Sequence, residues 1–175
     1  MNIQRALIIG RFQPLHLGHI KVIEEVAKEY SEVIIGIGSS QESHTKKNPF
    51  TAGERLAMIK NSLDSLKNNN NFNNNFNYLI IPIPDVNNNS IWVSHLCSLV
   101  PKFDVVYSRN KLVKQLFKEA GFDVREQKDY DSSMYSSTEV RRRIIERKKW
   151  KHLVPKEVVE IVNNIGGVER IRELV

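Results

Sequence analysis

Two histidines three residues apart, His16 and His19, bracket Gly18 in the stretch Gly10-Arg11-Phe12-Gln13-Pro14-Leu15-His16-Leu17-Gly18-His19. Lys46, Lys47, Arg109 and Arg141 add further cations at the ends of other apolar runs. The set lacks a Ser-His-Asp order and lacks paired carboxylates, which speaks against acyl transfer and glycoside hydrolysis. Cations, imidazoles and backbone donors suit attack on a phosphoryl group, where an enzyme positions reactants and stabilises charge growing on oxygen. Both histidines could address a phosphate chain resting on a helix N-terminus, whose free N–H groups and dipole favour an anion.

Placing them there requires a strand, a tight turn and a helix. Ala6-Leu7-Ile8-Ile9 is short enough for a buried strand that stops at Gly10, and Ile20, Ile23, Val26 or Ala27, and Tyr30 then recur at helical spacing. Glu32 to Gly38 reads as a second strand covered on both faces, joined to the first by a right-handed crossover. Its alternate glycines, Gly36 and Gly38, suggest a close approach of backbone or ligand. The polar segment Ser39 to Phe50 is long enough to be a binding loop or lid. Thr51 and Glu54 form a capping box for a helix whose buried stripe is Leu56, Ile59, Leu63 and Leu66, with Met58 and Ser62 to one side.

Tyr78–Ile81, Phe103–Tyr107 and Phe122–Arg125 supply three more strands, the last one peripheral. The Asn-rich tract Asn68–Asn77 reads as an inserted solvent loop. Ser90 is a candidate cap for a short helix carrying Trp92, Gly121 ends another, and Ser136 or Ser137 with Glu139 announces a third. Pro155 and Gly166-Gly167 mark the last two helices. The expected fold is therefore α/β, Rossmann-like, with a parallel sheet of about five strands, helices on both faces and a small C-terminal helical part. Residues 1–130 would form the nucleotide-binding core, and 131–175 a helical segment completing the site within the same compact domain.

Composition narrows the partners. A chain of 175 residues, 41% hydrophobic, can close one full core without staples. The single cysteine, Cys97, excludes an intrachain disulfide framework and a Cys-rich zinc motif, and no run of 18 apolar residues exists. A cytoplasmic protein without membrane attachment is the expectation. The formal charge is +6, and seven Lys/Arg against two acids between Thr138 and Lys151 account for most of it. That basic stretch lacks the interleaved aromatic platform of a single-strand binder, which favours small phosphates over nucleic acid.

The motif around His16 resembles the His-x-Gly-His signature of the nucleotidyltransferase superfamily, in the Gly-Arg-Phe-Gln-Pro-x-His form of archaeal nicotinamide mononucleotide adenylyltransferases. The similarity continues through Gly38-Ser39-Ser40-Gln41, Asn48-Pro49-Phe50-Thr51-Ala52-Gly53-Glu54-Arg55, Ile83-Pro84-Asp85, Trp92-Val93-x-His95, Tyr135-Ser136-Ser137-Thr138-Glu139-Val140-Arg141 and Gly167-Val168-Glu169-Arg170-Ile171. It implies transfer of AMP from ATP to nicotinamide mononucleotide (NMN), giving NAD and pyrophosphate.

By this resemblance His16, His19, Arg11 and Arg141 are catalytic. ATP would contact Gly10, Arg11, Phe12, Gly18, His19, Ser136, Ser137, Thr138 and Arg141. NMN would contact Gln13, Ser39, Lys47, Ile83, Asp85, Trp92 and Ser108, with the Trp92 indole stacked on the nicotinamide. Mg²⁺ would bridge ATP phosphates rather than sit among protein ligands, and a homo-oligomer, possibly a hexamer, is implied. Ser108-Arg109-Asn110-Lys111-Leu112-Val113 departs from the family's Ser-x-Asn-Pro-Leu-Val, which points to altered mononucleotide specificity there. Two alternatives stand beside this reading: nucleotidyl transfer to another small phosphomonoester, and a nucleic-acid-binding module built on the basic helix.

Overall fold

The computed structural model describes residues 4–69 and 76–174; most of the Asn-rich tract lies outside them. Five strands form one sheet: β1 (Arg5–Gly10), β2 (Glu32–Ile37), β3 (Asn77–Pro82), β4 (Val105–Ser108) and β5 (Asp123–Glu126). Their order is β3-β2-β1-β4-β5 and every pairing is parallel. All five carboxyl ends therefore open onto one rim. Because β1 pairs with β2 on one side and β4 on the other, the chain reverses its winding at β1, and the crevice at such a reversal is where open α/β sheets take ligands.

Among the described residues seven α-helices cover the sheet: α1 (Leu17–Val26), α2 (Ala52–Asn68), α3 (Asn89–Leu99), α4 (Lys111–Glu119), α5 (Ser137–Ile145), α6 (Lys156–Asn164) and α7 (Gly167–Glu173). Alternation along β1 divides the core in two. Ala6 and Ile8 face a cluster with α1, α2 and the C-terminal helices, whereas Leu7 faces a smaller cluster with Val93, Leu96 and Phe117 of α3 and α4. Val140, Ile144, Leu153, Val158, Val162 and Ile171 belong to the first cluster, so the C-terminal helices share the core of the sheet.

Local signals account for most boundaries. The Thr51–Glu54 capping box is formed, Ser136 caps α5 through the Glu139 amide, and Gly121 takes a left-handed φ of 83° after α4. Three local expectations need correction. Asn88, not Ser90, caps α3, because its side chain reaches the Ser90 amide at 3.0 Å. The buried face of α2 is Arg55, Met58, Ile59, Ser62 and Leu63, with Leu56 and Leu66 only partly covered. Gly36 serves packing: a Cβ there would lie 2.7 Å from Ile83 Cδ1.

The attachment of α5 to the core rests on Val140 and Ile144, both 0% exposed. Truncating Ile144 to alanine removes buried contacts and leaves a cavity, so it should lower the unfolding free energy by about 2–5 kcal/mol in urea denaturation followed by far-UV circular dichroism.

Candidate active site

The turn after β1 carries Arg11 to His16 into α1. His16 is the N-cap of α1, in extended backbone at φ −139°, and its Nδ1 accepts from the His19 amide at 3.4 Å. His19 Nδ1 accepts in return from the His16 amide at 3.3 Å. The two rings stack with centroids 3.6 Å apart. With both Nδ1 atoms accepting, each neutral ring carries its proton on Nε2, leaving an N–H donor free beside the helix mouth. Burial pushes His16 down to about 4, and burial together with the neighbouring His16 holds His19 well below the ordinary range. Both rings are thus neutral donors at pH 7.

Phe12, at φ 50° and 1% exposed, lies under His19 with ring centroids 4.7 Å apart. It forms floor rather than open surface. Gly18 lets the chain before α5 approach: a Cβ there would meet Tyr135 Cβ at 3.0 Å and His16 Nδ1 at 3.0 Å. Ser137 Oγ donates to Pro14 O at 2.9 Å, and an Arg141 terminal nitrogen donates to Gln13 O at 2.7 Å. The segment Ser136–Arg141 is therefore fixed against the same turn as the histidines. Thr138 is exposed one residue further on, 3.5 Å from Arg141.

Arg141 is held below its usual range by burial and by the charge of Arg11. Arg11 itself is exposed and makes no ion pair among the described residues. A cleft of about 190 Å³ opens from His16, Gly18 and His19 toward Arg109, Gln127, Asp129, Ser132, Tyr135 and Ser136. Arg109 grips Asp129 with two bonds of 3.1 and 2.9 Å and reaches Ser132 at 3.3 Å. Arg109 therefore lines the histidine cleft. Trp92 and Asp85 line a different cavity, about 240 Å³, with Asn87, Leu112 and Val113, so the segment that departs from the family pattern reaches the pocket of Trp92 through Leu112 and Val113 while its Arg109 lies in the histidine cleft.

Other residues expected to touch NMN divide by what their polar atoms already do. Gln13 is 1% exposed, and its amide donates to Phe50 O at 2.8 Å while accepting from Phe50 N at 2.9 Å. This clamps two loops and leaves its side-chain oxygen and nitrogen engaged within the protein. Ser108 Oγ accepts from the Asn110 amide, and Ile83 uses both backbone groups, toward Ser40 and Ile37. Lys47 is exposed, Ser39 sits in the left-handed region at φ 48°, and Gly10 ends β1 at the rim. Trp92 is half-buried, edge-on to Phe117 with centroids 5.7 Å apart.

Among the described residues no group of three or more His, Cys, Asp and Glu side chains converges as metal ligands. What the arrangement can do is bind a polyphosphate: two neutral N–H donors stand at the mouth of α1, and the Arg141 guanidinium is fixed against the same turn.

Comparison with known proteins identifies the family. The cytidylyltransferase-like family model matches residues 7–143. The nicotinamide-nucleotide adenylyltransferase of Methanococcus aeolicus is 51% identical over 97% of this chain and 94% of its own length, and that of Archaeoglobus fulgidus is 49% identical over 97% of both. Among solved structures, a bifunctional NMN adenylyltransferase/ADP ribose pyrophosphatase from Francisella tularensis, complexed with AMP and a manganese ion, superposes with a TM-score of 0.77 at 23% identity. That match covers 99% of this chain and about half (52%) of the bifunctional protein, and it establishes the fold. With half of its residues shared with these relatives over nearly its whole length, the chain belongs to the nicotinamide-nucleotide adenylyltransferase family.

Proposed function

We infer that the protein transfers AMP from ATP to the 5′-phosphate of NMN, forming NAD and pyrophosphate, as the names of its relatives state for them. The observation that supports this best is the docking of Ser137 and Arg141 onto the Gln13–Pro14 carbonyls, which brings a cationic helix start beside the His16–His19 pair. An oxygen of the NMN phosphate attacks the α-phosphorus of ATP. A new P–O bond forms, the bond from that phosphorus to the oxygen bridging the β-phosphate breaks, and its electron pair leaves with pyrophosphate. No covalent enzyme intermediate is required.

In this reading His16 and His19 donate their Nε2–H groups to phosphate oxygens, and the α1 amides near Gly18 add further donors. Thr138 and Arg141 hold the β and γ phosphates, with Ser136 and Ser137 fixing their helix. Arg11 stands between the two substrates and draws their phosphates together against mutual repulsion. Lys47 and the Ser39 loop receive the NMN phosphate, and Trp92 with Asp85 receives the nicotinamide. Gly10, Phe12, Gln13, Ile83 and Ser108 shape the walls from behind.

A divalent ion, Mg²⁺ in this reading and consistent with the manganese of the Francisella protein, would offset phosphate charge while bound to ATP. Residues 1–130 and 131–175 act as one unit because the second segment completes the phosphate site of the first. We place the enzyme in the cytoplasm as a homo-oligomer; among the described residues no helix is long and apolar enough to cross a membrane.

Three results are expected. Incubated with ATP, Mg²⁺ and a panel of phosphomonoesters, the protein should form NAD from NMN, identified by mass, and Trp92→Ala should raise KM for NMN far more than for ATP; a preferred acceptor lacking a pyridine ring would replace this reading with the wider nucleotidyltransferase one. His19→Ala should lower kcat by about 10²–10³, the usual effect of losing a donor aimed at developing charge, measured by pyrophosphate release. Stability should also follow His16. Its pKa is about 4 when folded and 6.5 ordinarily, so the unfolded chain binds the proton more tightly and stability falls as pH drops from 6.5 toward 4. The loss, on the order of 3 kcal/mol, should shrink in His16→Gln when urea midpoints are compared across that range.

A further inference from the structure

Arg55 heads the fully buried side chains in size, at 0% exposure, and the mechanism above gives it no role. Burying a guanidinium is costly unless its N–H groups find acceptors. Here the acceptors are six backbone carbonyls and no carboxylate. Nε donates to Thr51 O at 3.2 Å; one terminal nitrogen donates to Arg11 O at 3.1 Å and Gly38 O at 2.9 Å. The other donates to Ser39 O at 3.1 Å, Ser40 O at 3.4 Å and Glu42 O at 3.3 Å. Five N–H donors thus serve six acceptors, drawn from the β1–α1 turn, the β2–α2 loop and the cap of α2.

A trans peptide holds its C=O and N–H on opposite sides. Each carbonyl turned in toward Arg55 therefore turns the following N–H away from it. In the two loops these are the amides of Phe12, Ser39, Ser40, Gln41 and Ser43. Of them, Ser40 donates to Ile83 O at 3.1 Å, and the others have no acceptor among the described residues. Ser39, at φ 48°, supplies a left-handed step within this run, the kind of step that can curve a chain's amides toward an anion. The peptide that Arg55 anchors at Arg11 carries the exposed, unpaired guanidinium described above.

We propose that Arg55 is a positioning residue for the acceptor substrate: by holding these carbonyls inward, it presents the free loop amides and Arg11 to a dianionic phosphomonoester. The inference rests on assigning this rim to the NMN phosphate. Lysine cannot replace it, because three donors on a point charge cannot reach six carbonyls spread around a planar fork.

The test is Arg55→Lys in the full chain, titrated with NMN, with ATP and with nicotinamide riboside, which lacks the phosphate. Affinity for NMN should fall about tenfold or more, affinity for ATP should fall by clearly less because only Arg11 and the Phe12 amide are shared with it, and affinity for the riboside should be unchanged. Equal losses for NMN and riboside, or for NMN and ATP, would overturn the proposal and leave Arg55 a residue of the fold alone. Guanidinium ion added to Arg55→Ala gives a second measure if the lysine variant does not fold. Regained NMN affinity supports positioning, and a regained melting temperature without regained affinity overturns it. Inorganic phosphate separates this proposal from the functional reading beneath it. A wild-type protein that makes no NAD yet binds phosphate more tightly than Arg55→Lys refutes the NMN assignment and keeps the positioning role; equal phosphate binding refutes the positioning role.

Discussion

Two hydrogen bonds that span more than two thirds of the chain hold the site together: Ser137 to the Pro14 carbonyl and Arg141 to the Gln13 carbonyl. A neutral hydrogen bond contributes about 1 kcal/mol net, and one from a charged donor about 1.5–3. The larger stabilisation of α5 comes from Val140 and Ile144 in the core. The polar pair has a different effect. Apolar burial is non-directional and would tolerate a small slide of α5 along the sheet, whereas two directed bonds to successive carbonyls set its register against the β1–α1 turn. Gly18 makes that register sterically possible.

The same turn fixes the protonation pattern of the histidines. Their reciprocal caps satisfy amides at the start of α1 and, by occupying both Nδ1 atoms, choose the tautomer that offers Nε2–H outward. Burial opposes imidazolium in both. A neutral donor held in place gains less Coulomb energy from a triphosphate than a cation would, but it is present across the neutral pH range and needs no reorganisation as charge develops. Fixed charge is supplied instead by arginines, whose proton is never in play near neutrality.

Much of this was legible in the chain. Apolar β-branched runs ending at glycine, proline or a polar cluster located the strands, and parallel pairing followed from the helices between them. Capping chemistry located α2 and α5. Less legible was where each polar side chain spends its hydrogen bonds. Gln13 and Ser108 resemble ligand-binding residues because amides and hydroxyls near a strand end can point either way; here they turn back onto Phe50 and Asn110. Arg55 was the reverse case. An arginine one position beyond a capping box suggests a solvated first turn, yet Met58, Ile59 and Ser62 place it on the buried face. The signal was present in the i, i+3, i+4 spacing, but a charged residue is rarely counted in an apolar stripe. The place of Arg109 was not legible in the chain, because only the fold shows Asp129 and Ser132 arriving beside it.

Pairing also decides where the protein's positive charge is available. In the basic segment, Arg142 and Arg143 bind Glu139 at 2.7 Å, and Arg142 and Lys148 bind Glu146 at 2.6 and 2.7 Å. Exposed pairs of this kind add little stability, but each lowers the local potential available to a distant anion. Arg147, Lys149 and Lys151 line a cavity around Trp150 and His152 that shares no residue with the histidine cleft. Arg141 is different in kind: its bonds go to a carbonyl and a hydroxyl, which orient the guanidinium without cancelling its charge. Arg55 follows the same rule, whereas Arg11 makes no ion pair among the described residues and lies close enough to disfavour the charged form of both Arg55 and Arg141. Arg11 therefore repels both the buried Arg55 and Arg141. A cluster of like charges stabilised by the fold and lacking carboxylates in its bonds is relieved by an anion placed among them. An anion placed beside Arg11 offsets that repulsion, which adds to the attraction of the helix mouth for phosphate.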